Sequence, residues 1–473
     1  MSILMPIFVI FVVIVIFNII IFVHELGHFL AARWRGLEVE RFQIWFGKPI
    51  WKKTYNGVQY GLGWIPFGGF VALPQMVTME KIEGDNMTDK PLPPASPIDK
   101  IIVAFAGPLF SFLLAVVTAF AVWGVGKPSY KLNSTIVGYI DPDKPAAKAK
   151  PAFQEGDKII AVNGIKVDRW RGDTDTGVSE NIMLSEGKTI EFTVEREGSP
   201  EPIIVKSGYH IPDTPWYDRR AMRQVGIMMG FRTLVGKVIE NSPAAEAGVK
   251  EGDEILSVNG KKAYTFQHIV DAQETGDPAT LEIKRGDETL TLSLSGRLPK
   301  SPKDSKPNFG ILPAPDPTLV TATTEYPTPW AQIKHSAAIM YTTITKVISR
   351  HSDVGVQHLA GPIGIGKGYY QMLTAPDGWK LALGFTVLFN INLAILNMLP
   401  FPVLDGGHIT LSILEIIARR PVHPKILEVV QTAFVLLIFG LFIFITSKDI
   451  GSSFVGEDEQ KIPVFEKVSA PPG

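Results

Sequence analysis

The chain has 473 residues, 46% of them hydrophobic, and its formal net charge is -1 at pH 7. Because no stretch concentrates Lys and Arg as phosphate binding requires, we expect no nucleic-acid partner. The absence of cysteine excludes disulfides and thiolate metal sites. The apolar residues are grouped in blocks, which indicates a membrane protein with attached soluble parts.

Four segments are apolar and long enough to cross a lipid bilayer, namely residues 5–30, 101–125, 381–400 and 426–446. The first lacks the basic region and cleavage site of a signal peptide, so we expect it to be a membrane span. Basic residues are concentrated after the first span and between the third and fourth spans, which predicts that both loops are cytoplasmic. Both termini and the region 126–380 would then lie outside.

The first span ends in His24-Glu25-Leu26-Gly27-His28, the H-E-x-x-H pattern. Histidines four residues apart share one helix face and can bind one zinc ion, while the glutamate activates a water. A loop or core histidine pair is the alternative. Ionisable groups inside a membrane helix mostly face an internal cavity and carry function, so the pattern favours a zinc site.

Residues 57–73, "GVQYGLGWIPFGGFVAL", predict strands broken by glycines, within a membrane-associated β segment at 38–75 of a first domain, 1–125. The segment is hydrophobic enough to dip into the membrane. An edge strand there, with Gly68 and Gly69, could pair with an unwound substrate. A cytoplasmic hairpin buried against the helices is the alternative.

An internal repeat lies between the second and third spans. "KPAAKAKPAFQEGDKIIAVNGIKV" begins at Lys144, and "SPAAEAGVKEGDEILSVNGKKA" begins at Ser242. Both read Pro-Ala-Ala, then Glu-Gly-Asp, then a strand ending in Val-Asn-Gly, and they resemble PDZ domains of the bacterial type. The repeat therefore predicts two PDZ (α+β) domains, at 126–222 and 223–315.

Each copy also contains a short Gly-Ile pair, in "VGIMM" and in "FGILP". Gly226 and Ile227, and likewise Gly310 and Ile311, are candidates for the loop that binds a peptide carboxylate beside a sheet edge.

Residues 316–380 are predicted to form an amphipathic helix and a linker. Residues on the predicted apolar face recur at helical spacing, and they are Trp330, Ile333, Ala337, Met340, Ile344 and Val347. This helix would either lie on the membrane surface or pack on a PDZ-like domain. The third and fourth spans form the segment 381–450, and residues 451–473 are expected to be a flexible tail.

A catalytic zinc site usually has three protein ligands, so a third must come from elsewhere in the chain. Asp405 in "NMLPFPVLDGG" is favoured because Pro400 and Pro402 break the third span and Gly406-Gly407 allow a turn. Such a break is tolerated where it lines an enclosed cavity. An Asp-Gly turn is the alternative reading. The other candidate ligands, which lie in the external region or the cytoplasmic loop, are His351, Asp353, His358, His408 and Glu415.

Together these features resemble the site-2 protease family of intramembrane zinc metalloproteases. The resemblance covers nearly the whole chain and includes "AGP" at 106–108 and "LAGPIGI" at 359–365. It implies one zinc ion per chain, bound by His24, His28 and Asp405, with Glu25 as the base. It also implies an active-site role for Asn397.

Two departures from the family concern loop details. Trp45-Phe46-Gly47 stands where relatives often have Gly-Phe-Gly, and Ser111 stands where they often have Asn.

Two asparagines of the third span, Asn392 and Asn397, lie near Asp405 on a polar face. They could hydrogen-bond the backbone of an unwound substrate, which would make them substrate-binding residues. Helix capping by Asn397 ahead of the break at Pro400 is the alternative.

The sequence thus predicts a polytopic α-helical protein of the bacterial inner membrane, with four transmembrane helices, two periplasmic PDZ domains and a membrane-associated β-hairpin. The active site would lie toward the cytoplasmic side. The resemblance implies single-span membrane protein substrates, such as an anti-sigma factor after a first periplasmic cut, and also signal-peptide remnants, with the PDZ pair controlling access. The rival interpretations are a non-catalytic scaffold that binds carboxyl termini and a metal transporter.

Overall fold

A computed structural model describes residues 4–76, 93, 95–172, 176–302, 306–420, 424–451 and 462–466. The chain divides into two compact units. The helical unit comprises Met1–Pro128, Thr324–Thr345 and Leu359–Ile450. The sheet unit comprises Ser129–Thr323, Lys346–His358 and Gly451–Gly473.

The helices, in chain order, are α1 Leu4–Trp34, α2 Pro97–Val125, α3 Val178–Met183, α4 Pro243–Glu246, α5 Gln267–Glu274, α6 Pro329–Ile348, α7 Pro362–Thr374, α8 Gly378–Asn397, α9 Asp405–Ala418 and α10 Pro424–Gly451. Among the described residues, α1, α2, α8 and Leu427–Gly451 of α10 are long and apolar enough to span a membrane. These four helices confirm the four predicted spans.

The strands are β1 Arg41–Tyr55, β2 Val58–Ala72, β3 Lys127–Leu132, β4 Val137–Ile140, β5 Lys158–Val162, β6 Ile165–Lys166, β7 Ile190–Glu195, β8 Ile203–Ser207, β9 Ile227–Met229, β10 Thr233–Val238, β11 Glu254–Val258, β12 Lys261–Lys262, β13 Pro278–Arg285, β14 Glu288–Ser295, β15 Ile311–Ala314 and β16 Val320–Glu325. β1 pairs with β2, and β3 pairs with β16. The remaining strands belong to the two repeat copies.

Small residues bring α1 and α2 into close contact. A Cβ atom on Gly27 would overlap the backbone carbonyl of Ala106, and one on Gly107 would overlap the rings of His24 and His28. The Ala-Gly-Pro of α2 therefore leaves space for the two histidines.

The β1–β2 pair turns at Asn56-Gly57, where both residues have positive φ, as a tight hairpin turn requires. Residues 41–44 of β1 pair on one side with residues 59–62 of β2 and on the other with residues 69–72. Phe42, Val58 and Val71 pack in one cluster with Ala32 of α1 and Val103 of α2. The last strand segment, 69–72, is thus held against the helices.

Part of α6 packs against transmembrane helices, a contact that neither of the two predicted positions included. Ile333 and Ala337 pack against apolar residues of the second and third spans, including Ala119 and Val387. The Gln332 side chain is buried and donates a hydrogen bond of 3.0 Å to the Ala119 carbonyl. Part of the predicted apolar face therefore contacts the transmembrane helices α2 and α8. Trp330, assigned to the same face, is 71% exposed.

The two repeat copies have equivalent elements in the sheet unit. Asp157 of the first copy accepts hydrogen bonds from Arg196, and Asp253 of the second accepts them from Arg285, with a shortest distance of 2.7 Å in each. Burial raises the pKa of Asp253, but hydrogen bonds from Arg285 and the Lys250 amide outweigh it and hold the pKa below its usual range. The Glu-Gly-Asp motif therefore supplies the carboxylate of an internal ion pair in both copies.

The strand pairing differs from the predicted boundary between the copies. β9, which follows residue 223, pairs with β4 of the first copy, and β15 pairs in the same way with β10 of the second. The last strand of each copy returns to pair with its first strand. Residues 227–229 therefore belong to the first copy, although the predicted boundary at residue 223 assigned them to the second.

The segment 451–473 is not wholly a free tail. Gly451 ends α10, and Val464 forms an antiparallel bridge with Ser301 of the second copy. The rest of the predicted tail, residues 452–461 and 467–473, lies outside the described residues.

Candidate metal centre

The H-E-x-x-H pattern and Asp405 meet at one point in the helical unit. His24 Nε2 lies 3.4 Å from Asp405 Oδ2, and His28 Nε2 lies 3.3 Å from Asp405 Oδ1. The two Nε2 atoms are 3.3 Å apart. His24, His28 and Asp405 form the group of potential metal ligands found among the described residues.

The spacing between the two histidine nitrogens and the Asp405 carboxylate oxygens fits zinc. Ligand atoms at about 2.0–2.1 Å from a tetrahedral Zn²⁺ lie roughly 3.3 Å from one another. In the group His24, His28 and Asp405, here called the ligand triangle, the two Nε2 atoms are 3.3 Å apart, and they lie 3.4 and 3.3 Å from the two different oxygens of the Asp405 carboxylate, close to this edge length. Two imidazole nitrogens and a carboxylate are also a donor set that zinc accepts, with a fourth position left for a water or substrate.

The Nδ1 atoms of both rings have partners on α2. The His28 Nδ1 lies 2.8 Å from the Val103 carbonyl, which can only accept, so this nitrogen carries the proton and Nε2 presents its lone pair. The His24 Nδ1 lies 3.0 Å from Ser111 Oγ. The carbonyl contact fixes the tautomer and orientation of His28, and the Ser111 hydroxyl, which can donate or accept, orients the His24 ring.

Asp405 does not lie on the third span itself. The span α8 ends at Asn397, and Asp405 is the first residue of the separate helix α9. Gly406 and Gly407 were expected to allow a turn, but both are helical. A Cβ atom on Gly406 would overlap the carbonyl of Met398, and one on Gly407 would overlap that of Phe401. The two glycines therefore let α9 begin directly against the broken segment.

A cavity of about 270 Å³ adjoins these residues. Its lining includes Glu25, Asn397, Gly69 and His408 together with the three potential ligands. An ideal Cβ atom on Gly69 would lie 3.4 Å from Glu25 Cγ, so the edge segment 69–72 runs past the Glu25 side chain. The H-E-x-x-H glutamate thus lines the same cavity as the ligand triangle.

Two other predicted substrate-binding residues are not part of this cavity lining. The Asn392 Oδ1 is buried and has no hydrogen-bond partner among the described residues. Gly68 has φ +73° and packs against the Phe46 ring.

The two Gly-Ile pairs have different surroundings. Gly226 and Ile227 line a cavity of about 640 Å³ in the first copy. Gly310 packs against Ser242, and Ile311 begins β15.

Two residues near the centre were not among the predicted site residues, although His408 was considered as an alternative ligand. Ser111 was noted only as a departure from the family, and its contact with His24 depends on how α2 packs against α1. His408 follows Asp405 by three residues on α9, and this helical spacing was the available signal that both face the same cavity.

Ser111→Ala is expected to weaken zinc binding by about 10–100-fold, because the His24 ring loses the partner that orients it. Competition with a chelator, measured on purified protein, tests this expectation. Ser336→Ala is the matched control, since Ser336 is also buried in the helical unit but bonds the Gln332 carbonyl within α6. Equal zinc affinity in the two variants would contradict the orienting role of Ser111.

Comparison with known proteins identifies the family. The model of peptidase family M50 matches residues 12–441. A putative zinc metalloprotease of Neisseria meningitidis is 30% identical, with 87% of this chain and 92% of that protein covered. The "Regulator of sigma E protease" of Haemophilus influenzae is 28% identical, with 91% and 96% covered. The crystal structure of a PDZ domain from an SdrC-like protein of Listeria monocytogenes covers 17% of this chain and 86% of that domain, at 24% identity and a TM-score of 0.16.

The family match spans the apolar helices, the ligand triangle and the repeat, and the relatives match over nearly their full length. The chain therefore belongs to peptidase family M50, and it is a zinc metalloprotease of the bacterial inner membrane.

Proposed function

We propose that this protein cuts transmembrane segments of other membrane proteins, using His24, His28 and Asp405 as zinc ligands and Glu25 as the base. The observation that carries the proposal is the ligand triangle beside Glu25, in which the Asp405 carboxylate lies within 3.3–3.4 Å of both histidine Nε2 atoms, in a unit that contains four apolar helices. When bound, zinc supplies Lewis acidity that makes a water more acidic and polarises a peptide carbonyl.

In this proposal Glu25 is the general base that accepts and then returns a proton. Its carboxylate lines the cavity beside the ligand triangle, where it can take a proton from the attacking water and return it to the leaving amine.

The substrate backbone must be extended at the cut site, because a helix hides its amides. The segment 69–72 pairs with β1 on one side, so its other edge can accept an added strand along the cavity. Asn397 lines the same cavity and can hydrogen-bond the exposed backbone through its side-chain amide. These two features support strand addition followed by cleavage.

Purified protein incubated with a model single-span substrate tests the proposed function. We expect cleavage within the membrane segment, its loss with a zinc chelator and its return when zinc is added. A non-catalytic scaffold and a metal transporter both predict an intact substrate under all three conditions.

The substrates we propose are single-span proteins whose outer domain has already been removed, such as an anti-sigma factor, and signal-peptide remnants. The "Regulator of sigma E protease" similarity motivates the first of these. In this proposal both termini and the two repeat copies are periplasmic, and both copies are PDZ domains. The concentration of basic residues in the other two loops supports this orientation.

We propose that the two copies restrict access by size. A folded domain of about 100 residues has a radius of gyration near 13 Å, so two such domains can cover the outer end of a four-helix bundle. Only a substrate without a bulky outer domain would then enter. Recruitment of a newly exposed carboxyl terminus by the Gly226 and Gly310 loops is the competing explanation.

Deletion of residues 133–319 separates these two explanations. The Asn133 amide donates to the Leu319 carbonyl at 3.2 Å, so Leu132 and Val320 can be rejoined by a short Asn-Gly turn. Size restriction predicts that the deleted enzyme cuts untrimmed substrate at least tenfold faster than the intact one. Recruitment predicts slower cleavage of trimmed substrate and no gain on untrimmed substrate. Gel analysis of both substrates measures these rates, with the deletion carrying Glu25→Gln as the blank.

A further inference from the structure

The segment Ile462–Glu466 follows the fourth span and is held against the second repeat copy by backbone hydrogen bonds. The Lys300 amide donates to the Val464 carbonyl at 2.7 Å, and the Val464 amide donates to the Ser301 carbonyl at 3.0 Å. The two bonds engage successive residues of the second copy, and they form an antiparallel bridge between Ser301 and Val464. The segment is therefore added as a short strand beside residues 300–301.

The side chains of this segment alternate as in a strand with one buried face. Phe465 is 5% exposed, whereas its neighbours Val464 and Glu466 are exposed, and so is Ile462. A buried aromatic side chain contributes far more to binding than the exposed ion pair of Glu466 with Lys300. Phe465 is thus the residue that anchors the segment.

The surface that receives Phe465 consists of two features of the second copy. The Arg297 guanidinium lies 5.6 Å from the centre of the Phe465 ring, within the range of a cation–π interaction. Arg297 is itself held by Glu246 at 3.0 Å and by the Asn241 carbonyl. On the other side, an ideal Cβ atom on Gly310 would lie 3.2 Å from the ring, so the absence of a side chain there makes room for Phe465.

The same position in the first copy is part of a cavity. Gly310 and Gly226 are equivalent, because the Ile239 amide donates to the Gly310 carbonyl and the Asp141 amide donates to the Gly226 carbonyl, both at 2.9 Å.

Arg297 and His210 are equivalent in the same way. Arg297 forms a bridge with Asn308, and His210 forms the corresponding bridge with Gln224. Gly226 and His210 both line the cavity of about 640 Å³. Phe465 therefore occupies, in the second copy, the place that belongs to a cavity in the first.

We propose that this surface of the second copy is a peptide-binding site whose ligand is the chain's own segment Ile462–Glu466. The site recognises an extended peptide with an aromatic side chain at the position of Phe465, and it binds that peptide in the interior of a chain rather than at a free carboxylate. Because the ligand is covalently attached, its effective concentration at the site is higher than the free concentration of a separate peptide. A separate peptide of the same affinity therefore competes poorly. The second copy is thus occupied in cis, and a foreign peptide must displace Phe465 to bind there.

Hydrogen–deuterium exchange of the full chain in detergent tests the docked strand. Phe465→Ala is expected to increase the exchange rate of the Lys300 and Val464 amides at least tenfold. Ile462→Ala is the matched control, because Ile462 is in the same segment but 56% exposed, and it should leave the rates within twofold of wild type. Unchanged exchange in Phe465→Ala would overturn the proposal.

A binding experiment tests the site itself. A labelled peptide of residues 461–467 is titrated into the full chain and into a variant that ends at residue 460. We expect at least tenfold tighter binding to the shortened variant, and no binding of the same peptide with Ala in place of Phe465. Equal affinity for the two proteins would refute occupancy in cis. Neither measurement depends on proteolytic activity, so failure here leaves the proposed protease function untouched.

Discussion

Glu25→Gln is expected to lower the rate of substrate cleavage by about 10²–10⁴-fold, the contribution that a positioned general base makes, while the zinc content stays at one ion per chain. The amide cannot accept the proton of the attacking water. Zinc is retained because Glu25 is not part of the ligand triangle, although it lines the same cavity. The rate is measured with a single-span model substrate in detergent, and zinc is measured by elemental analysis of the purified variant.

The matched control for this experiment is Glu38→Gln, an exposed glutamate of the same unit. It should show wild-type cleavage and wild-type zinc. Loss of zinc together with activity in Glu25→Gln would mean that Glu25 is needed for metal binding, and the proposed role as the base would be wrong.

Asp405→Ala is expected to reduce zinc affinity and cleavage together. Two histidine nitrogens would remain, and the site would lose both its charged ligand and its connection to α9. The loss of affinity should exceed the roughly 10–100-fold that follows removal of a supporting hydrogen bond, so Asp405→Ala should be more severe than Ser111→Ala. Zinc affinity is measured by chelator competition, and cleavage is measured at several zinc concentrations.

Asp377→Asn serves as the control for Asp405→Ala. Asp377 is an exposed carboxylate of the helical unit at the start of α8, and Asn tolerates its left-handed backbone, φ 53°. Asp353 is a poor control because it pairs at 2.7 Å with the buried Arg223, which would lose its partner. Wild-type zinc binding and turnover in Asp405→Ala would place the third ligand elsewhere.

Features that depend on short sequence periods were predictable. Histidines at positions i and i+4 of an apolar helix share one face in any α-helix, so His24 and His28 could be paired without a tertiary structure. The lengths of the four spans follow from the thickness of a bilayer, and the described helices confirm them. The repeat predicted equivalent elements in both copies, and the ion pairs of Asp157 and Asp253 show that equivalence in detail.

Contacts between segments that are distant in the chain could be predicted less well from the sequence. Asp405 was favoured as a ligand because of its chemistry and the proline-rich break. Its position at the start of α9, however, depends on Gly406 and Gly407 packing against backbone carbonyls. The helical spacing of α6 was predicted correctly. Periodicity, however, predicts which face of a helix is apolar and not which element packs against that face, and here spans α2 and α8 do so.

The sequence by itself determined the four spans, the paired histidines with their glutamate and the two repeat copies, because each is encoded by local spacing that every folded arrangement must respect. The tertiary structure decided which atoms meet across the chain: Ser111 with His24, Asp405 with both histidines, and Phe465 with Arg297. Such contacts depend on the path of the whole chain and on the positions at which small residues allow two segments to approach closely. A single serine or a five-residue extended segment has no periodic pattern from which its partner could be inferred.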